Sequence, residues 1–105
     1  MKAMVLAAGR GSRLAPLTDH TPKPLLPVAG KPLILHTVER LKASGIRKIV
    51  INTYHLGSQI EAALGNGAEM GVSIQYSQET ELLETGGGVK RALPLLEDEV
   101  FVLCN

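Results

Sequence analysis

Four short apolar runs alternate with three helix-like stretches along this chain. That alternation predicts an α/β fold: a Rossmann-like parallel sheet with right-handed crossovers and helices on both faces. Lys2–Leu6 reads as the first strand, apolar and soon met by glycine. Arg47–Asn52 reads as the second, around Ile49, Val50 and Ile51. Val72–Tyr76 is the third, with Val72, Ile74 and Tyr76 alternating with polar Ser73 and Gln75. Val100–Asn105 is the fourth. Between them, Pro32–Ser44 is predicted helical, with proline at its start and Gly45 at its stop. Its residues Ile34, Val38 and Leu41 share one face, while Glu39, Arg40 and Lys42 point away. Gly57–Leu64 is the second helix, with Ile60, Ala63 and Leu64 inward and Gly65–Gly67 ending it. Thr85–Leu93 is the third, with Thr85 as N-cap and Pro94 near its end.

Residues 8–31 break the pattern. Pro16, Pro22, Pro24 and Pro27 exclude a helix there, so the segment reads as one long loop. A loop of that length in a compact domain is functional or disordered. Leu25, Leu26 and Val28 suggest that it packs against the body. In parallel sheets, ligands bind beyond the carboxyl ends of the strands. Those ends carry Ala7, Ala8 and Gly9, then Asn52, then Asn105, and the loop after the third strand leads through Glu79 to Thr85–Gly88. All should face one crevice. The loop from Ala7 to Arg13 offers bare backbone N–H groups, and Arg13 and Lys23 add two positive charges. Such a set suits a polyphosphate.

Two common phosphate motifs are excluded. A Walker loop needs Lys-Ser/Thr after its last glycine, but Ser12 and Arg13 follow Gly11. A dinucleotide fingerprint needs a third glycine where Leu14 stands and an acidic residue where Asn52 ends the second strand. It also needs a helix where the proline-rich loop runs.

Bulk composition removes other classes. A net charge of +1 and 3% aromatic residues leave no broad basic surface and no base-stacking platform for nucleic acid. No apolar run approaches the roughly 20 residues that span a bilayer, and the N-terminal run is too short for a signal peptide. The one cysteine, Cys104, cannot form an internal disulfide, reads as a small buried hydrophobe and fits a reducing cytoplasm. His20, His36 and His55 lack metal-ligand spacing. At 105 residues the chain is one small domain or part of a larger one. It stops at Asn105 directly after an apolar strand, so residues 1–105 are expected to be a truncated N-terminal part of a domain.

Leu6–Leu14, reading LAAGRGSRL, and Pro22–Val28, reading PKPLLPV, resemble the two-part signature of the sugar-1-phosphate nucleotidylyltransferases. Leu82–Gly88 is similar to that family's nucleobase segment, although Glu84 stands where glycine is usual. The resemblance covers the whole chain. It implies attack of a sugar-1-phosphate on the α-phosphorus of a nucleoside triphosphate, with pyrophosphate leaving. Arg13 and Lys23 would be catalytic, Arg13 on the β- and γ-phosphates and Lys23 at the α-phosphate. Leu6, Ala7, Ala8, Gly9, Gly11, Arg13 and Lys23 would bind the nucleotide, the loop through backbone N–H groups. Arg10 would lend its backbone N–H, with its side chain free to face water. Glu79, Thr85, Gly86 and Gly87 would recognise the base.

The resemblance further implies Mg2+, held by an aspartate beyond Asn105 and a second one far downstream. No residue within the chain replaces them: Asp19 lies in the loop and Asp98 precedes the last strand. The parent would be an enzyme and the 105-residue segment alone inactive. The Glu84–Gly88 variant points to UMP transfer from UTP, with N-acetylmuramate-α-1-phosphate as a candidate acceptor. Thymidylyl or guanylyl transfer, and a non-catalytic nucleotide-sensing subunit, stay open as alternatives.

Overall fold

A computed structural model describes residues 2–8, 20–54, 56–79, 90 and 101–104, the last four by backbone alone. In chain order the elements are β1 (Lys2–Leu6), β2 (Pro27–Val28), β3 (Lys31–Pro32), α1 (Leu33–Ala43), β4 (Lys48–Thr53), α2 (Gly57–Leu64), β5 (Ser73–Gln78) and β6 (Phe101–Cys104). Four strands form a parallel sheet in the order β5-β4-β1-β6. Leu6 pairs with Asn52, Asn52 with Ser77, and Val5 with Cys104, so the carboxyl ends come out together at one edge.

The chain steps from β1 to β4 to β5 in one direction. Right-handed crossovers then place both connecting helices on the same face. Packing agrees: Ile34, Val38 and Leu41 of α1 and Ile60 and Leu64 of α2 share one core with Ala3, Val5, Ile49, Ile51 and Ile74. Met4 and Val50 point to the opposite face and are equally buried. Burial on both faces is why β1 and β4 read as unbroken apolar runs, while β5 alternates. The helix expected over Thr85–Leu93, apart from Lys90, lies outside the described residues, and both described helices occupy a single face.

Local signals set the helix ends. The N–H of Gly45 donates to the Lys42 carbonyl at 2.9 Å and that of Ile46 to Leu41 at 3.0 Å. Gly45 takes φ +89, and Leu41 and Ile46 join the core, which completes a Schellman stop. Helix α2 buries an arc through Ile60 and Leu64. Ala63, expected inward, is exposed because it falls about a quarter-turn off that arc.

The strand bounds shift slightly: β4 begins at Lys48 and reaches Thr53, and β5 begins at Ser73 and reaches Gln78. Residues 20–31 are more ordered than a plain loop. Lys23–Leu25 make a 3-10 turn, and β2 and β3 pair as a two-residue hairpin with positive φ at Ala29 and Gly30. Leu25 packs on the core as expected, but Val28 is 47% exposed because this small ribbon stands off the main sheet. His36 Nε2 lies 2.6 Å from the Val28 carbonyl, and Lys31 pairs with Glu39 at 2.6 Å, tying the ribbon to α1.

Tyr76 closes the far side. Its hydroxyl donates to the Gly65 carbonyl at 2.7 Å. Burial, helped by the nearby Glu61 charge, pushes its pKa from 10 up to about 12. Below the unfolded value near pH 10 this contribution to stability is complete; it is lost as pH rises towards 12. Tyr76→Phe is expected to cost about 1 kcal/mol at neutral pH and to flatten that alkaline decline. Urea titrations near pH 8 and near pH 11 would check both.

Candidate functional site

The carboxyl edge of the sheet gathers the groups expected there. Chain leaving β1 runs through Ala7 and Ala8, both buried. Asn52, one strand over, reaches across: its Oδ1 accepts the Ala7 N–H at 2.5 Å. Its Nδ2 donates to Glu79 Oε2 at 3.1 Å. Glu79 follows directly on β5, and its own N–H donates to the Thr53 carbonyl at 2.8 Å, continuing the ladder. Asn52 is 4% exposed and Glu79 6%. Two buried polar side chains thus join the first loop to the segment beyond β5. A buried polar group demands such partners, since leaving one unmade costs about 1–3 kcal/mol.

Lys23 approaches the same edge from the proline segment. It opens the 3-10 turn, where the Pro22 carbonyl accepts from Leu25 at 2.9 Å and the Lys23 carbonyl from Leu26 at 3.0 Å. Pro22 is buried and anchors the turn, while Lys23 itself is exposed. Lys23 and Pro24 share a cleft of about 130 Å3 with Leu6, Ala7 and Thr37, which puts the lysine beside the end of β1. The His20 carbonyl accepts from Gln59 Nε2 at 2.8 Å, fixing the incoming chain to α2. Beyond β4 and β5, Glu79 and Gln78 line an open cavity of about 330 Å3 with Thr53, Tyr54 and Ser58.

Of the residues singled out in the sequence, Leu6, Ala7, Ala8, Lys23 and Glu79 come together at this edge. Gly9, Arg10, Gly11, Arg13, His55, Thr85, Gly86 and Gly87 lie outside the described residues. Asn52 was expected at the crevice; its bridging role is new, and it does not cap α2, where Leu56 stands at the N-cap without a side-chain bond. The signal that could have found it is a polar residue ending an otherwise apolar central strand. Among the described residues, no group of three His, Cys, Asp or Glu could hold a metal ion, and none of the helices is long and apolar enough to cross a membrane.

A sequence profile for nucleotidyl transferases matches residues 2–105. The chain belongs to the nucleotidyl transferase family. It is 59% identical to the N-acetylmuramate α-1-phosphate uridylyltransferase of Neisseria meningitidis serogroup B, over all of this chain and 46% of that protein. It is 38% identical to the mannose-1-phosphate guanylyltransferase of Mycobacterium tuberculosis, over 98% of this chain and 29% of that one. A Bacillus anthracis structure assigned as a glucose-1-phosphate thymidylyltransferase, solved with sucrose, superposes with a TM-score of 0.90 at 36% identity. That match covers 98% of this chain and 42% of the other. The chain therefore spans less than half the length of these relatives. Nucleotidyl transferases of this kind are enzymes, and the three relatives are named for three different nucleotides.

Proposed function

We propose that this chain is the nucleotide-binding part of an enzyme that transfers UMP from UTP to a sugar-1-phosphate and releases pyrophosphate. The observation that carries the uridylyl reading is the 59% identity to a uridylyltransferase along the whole chain, against 38% to a guanylyltransferase. N-acetylmuramate-α-1-phosphate is the proposed acceptor on the same ground. The single cysteine fits a cytoplasmic setting for such a reaction.

In this reading an oxygen of the sugar phosphate attacks the α-phosphorus. A new P–O bond forms, and the bond to the β-phosphate oxygen breaks as pyrophosphate leaves. Catalysis of such transfers rests on positioning and on stabilising charge. Lys23 supplies its ammonium to the α-phosphate oxygens, from a turn whose prolines restrict the backbone. Backbone N–H groups after β1 and the Arg13 side chain hold the outer phosphates. Glu79 accepts from the imide N–H of uracil. Magnesium, with ligands expected beyond Asn105, would neutralise phosphate charge when bound; the described residues contain no group of three ligands for it.

The test is protection against thermal unfolding by UTP, dTTP and GTP. A ligand at about 100 times its dissociation constant adds about 2.7 kcal/mol of stability. UTP is expected to raise the melting temperature most. A larger rise with GTP would overturn the uridylyl reading in favour of guanylyl transfer.

A further inference from the structure

The turn that carries Lys23 runs on into the β2–β3 ribbon, and among the described residues that ribbon joins no strand of the main sheet. Leu25 reaches the core, but Lys23 and Pro24 face Leu33, Ile34 and Thr37 of α1 across a cleft of about 130 Å3. Close packing therefore does not settle where the lysine stands against α1, because the gap leaves the turn room to shift. Hydrogen bonds to α1 take its place. The Leu33 N–H donates to the Leu26 carbonyl at 2.9 Å, and the Leu26 N–H donates to the Lys23 carbonyl at 3.0 Å. His36 reaches back to the Val28 carbonyl at 2.6 Å. That carbonyl can only accept, so Nε2 of His36 carries the hydrogen, in the neutral ring and in the charged ring alike. The Lys31–Glu39 pair ties the same two elements, but its side chains are 39% and 55% exposed, so salt screens it and it contributes little.

We infer that His36 is a positioning residue for Lys23: by clamping the ribbon at Val28 it fixes the proline turn to α1 and so holds the ammonium at the α-phosphate. This rests on the reading above that Lys23 meets the α-phosphate. His36 touches no substrate in this scheme. Its own helix is set by the core, since Ile34, Val38 and Leu41 pack with Ala3 and Val5 of β1. The frame of the central strand thus passes through α1, His36 and Val28 to the lysine.

Variants of the full-length protein test it: His36→Phe, His36→Gln, Lys23→Ala, and His36→Phe combined with Lys23→Ala. His36→Phe keeps a ring and removes the donor. Its kcat is expected to fall about tenfold, because a displaced cation meets the developing charge less well. Its KM for UTP should stay within about threefold. His36→Gln places an amide N–H2 at the reach of Nε2 and should return kcat to within about threefold of the unsubstituted protein. The double variant decides. With the ammonium gone, His36 has nothing left to position, so adding His36→Phe to Lys23→Ala should change kcat by less than about twofold. The melting temperature should drop by the same small step in both backgrounds, since the clamp on the ribbon does not involve the ammonium.

A lowered melting temperature with kcat intact would leave His36 a structural role only and overturn the inference. A tenfold loss that persists in the Lys23→Ala background would overturn it too, since His36 would then act on something other than the lysine. So would a His36→Gln variant as slow as His36→Phe. Near-normal turnover of Lys23→Ala alone instead removes Lys23 from the α-phosphate and fails the reading beneath. Should His36→Phe not fold, His36→Leu makes the same comparisons.

Discussion

Replacing Lys23 by alanine is expected to lower turnover of the full-length protein by about a hundred- to a thousandfold and to leave its melting temperature nearly unchanged. The first half follows from charge. The reacting phosphate gathers negative charge as the new bond forms, and one preorganised cation facing that charge is worth about 3–4 kcal/mol in catalysis. The second half follows from packing. The Lys23 side chain is exposed, and the turn that carries it is held by backbone bonds at Pro22 and Lys23 and by the buried Pro22 ring. None of these involves the ammonium group. Steady-state kinetics beside a thermal melt would check both halves. Near-normal turnover would remove Lys23 from the mechanism.

Gly67→Ala is expected to destabilise the fold by about 3 kcal/mol. Gly67 takes φ +80, a conformation that costs an L-residue about 1 kcal/mol or more. A methyl group there would also sit 2.8 Å from Val72 Cγ2, 2.9 Å from Ile74 Cγ1 and 2.9 Å from the Val72 carbonyl oxygen. The carbonyl belongs to the backbone that carries Ile74 into β5, and the Gly67 carbonyl itself accepts from Val72 at 3.1 Å, so neither side can retreat. Gly71 supplies the control. It has φ +75, but only the flexible end of Lys42 lies near, at 3.1 Å. Gly71→Ala should cost about 1 kcal/mol, the conformational part alone. Urea midpoints for the two variants separate strain from collision, and equal losses would show that collision at Gly67 adds nothing.

Fold was more legible than site. Unbroken runs at Ala3–Leu6 and Ile49–Ile51 announced strands buried on both faces, and the 3.6-residue spacing of Ile34, Val38 and Leu41 announced α1 with its inner face. Ala63 failed because an eight-residue helix carries too few apolar positions to define its arc. The hairpin over residues 27–32 was hidden because its turn uses Ala29 at positive φ, where Gly or Asn would have signalled it. Glu79 was placed by resemblance rather than by pattern, and its burial against Asn52 depends on register between β4 and β5. Register is a tertiary fact: local propensity does not state which residue of one strand stands beside which of the next.

The pairing of β1 with both β4 and β6 has a consequence in time. During synthesis β1 leaves the ribosome before β4, β5 and β6, yet its second flank, Phe101–Cys104, follows about a hundred residues later. Closing so long a loop is slow, because its entropy is lost before the contact repays it. The earliest of the described strands is therefore among the last of them to be fully paired, and the nascent chain must carry its apolar edge uncovered until then.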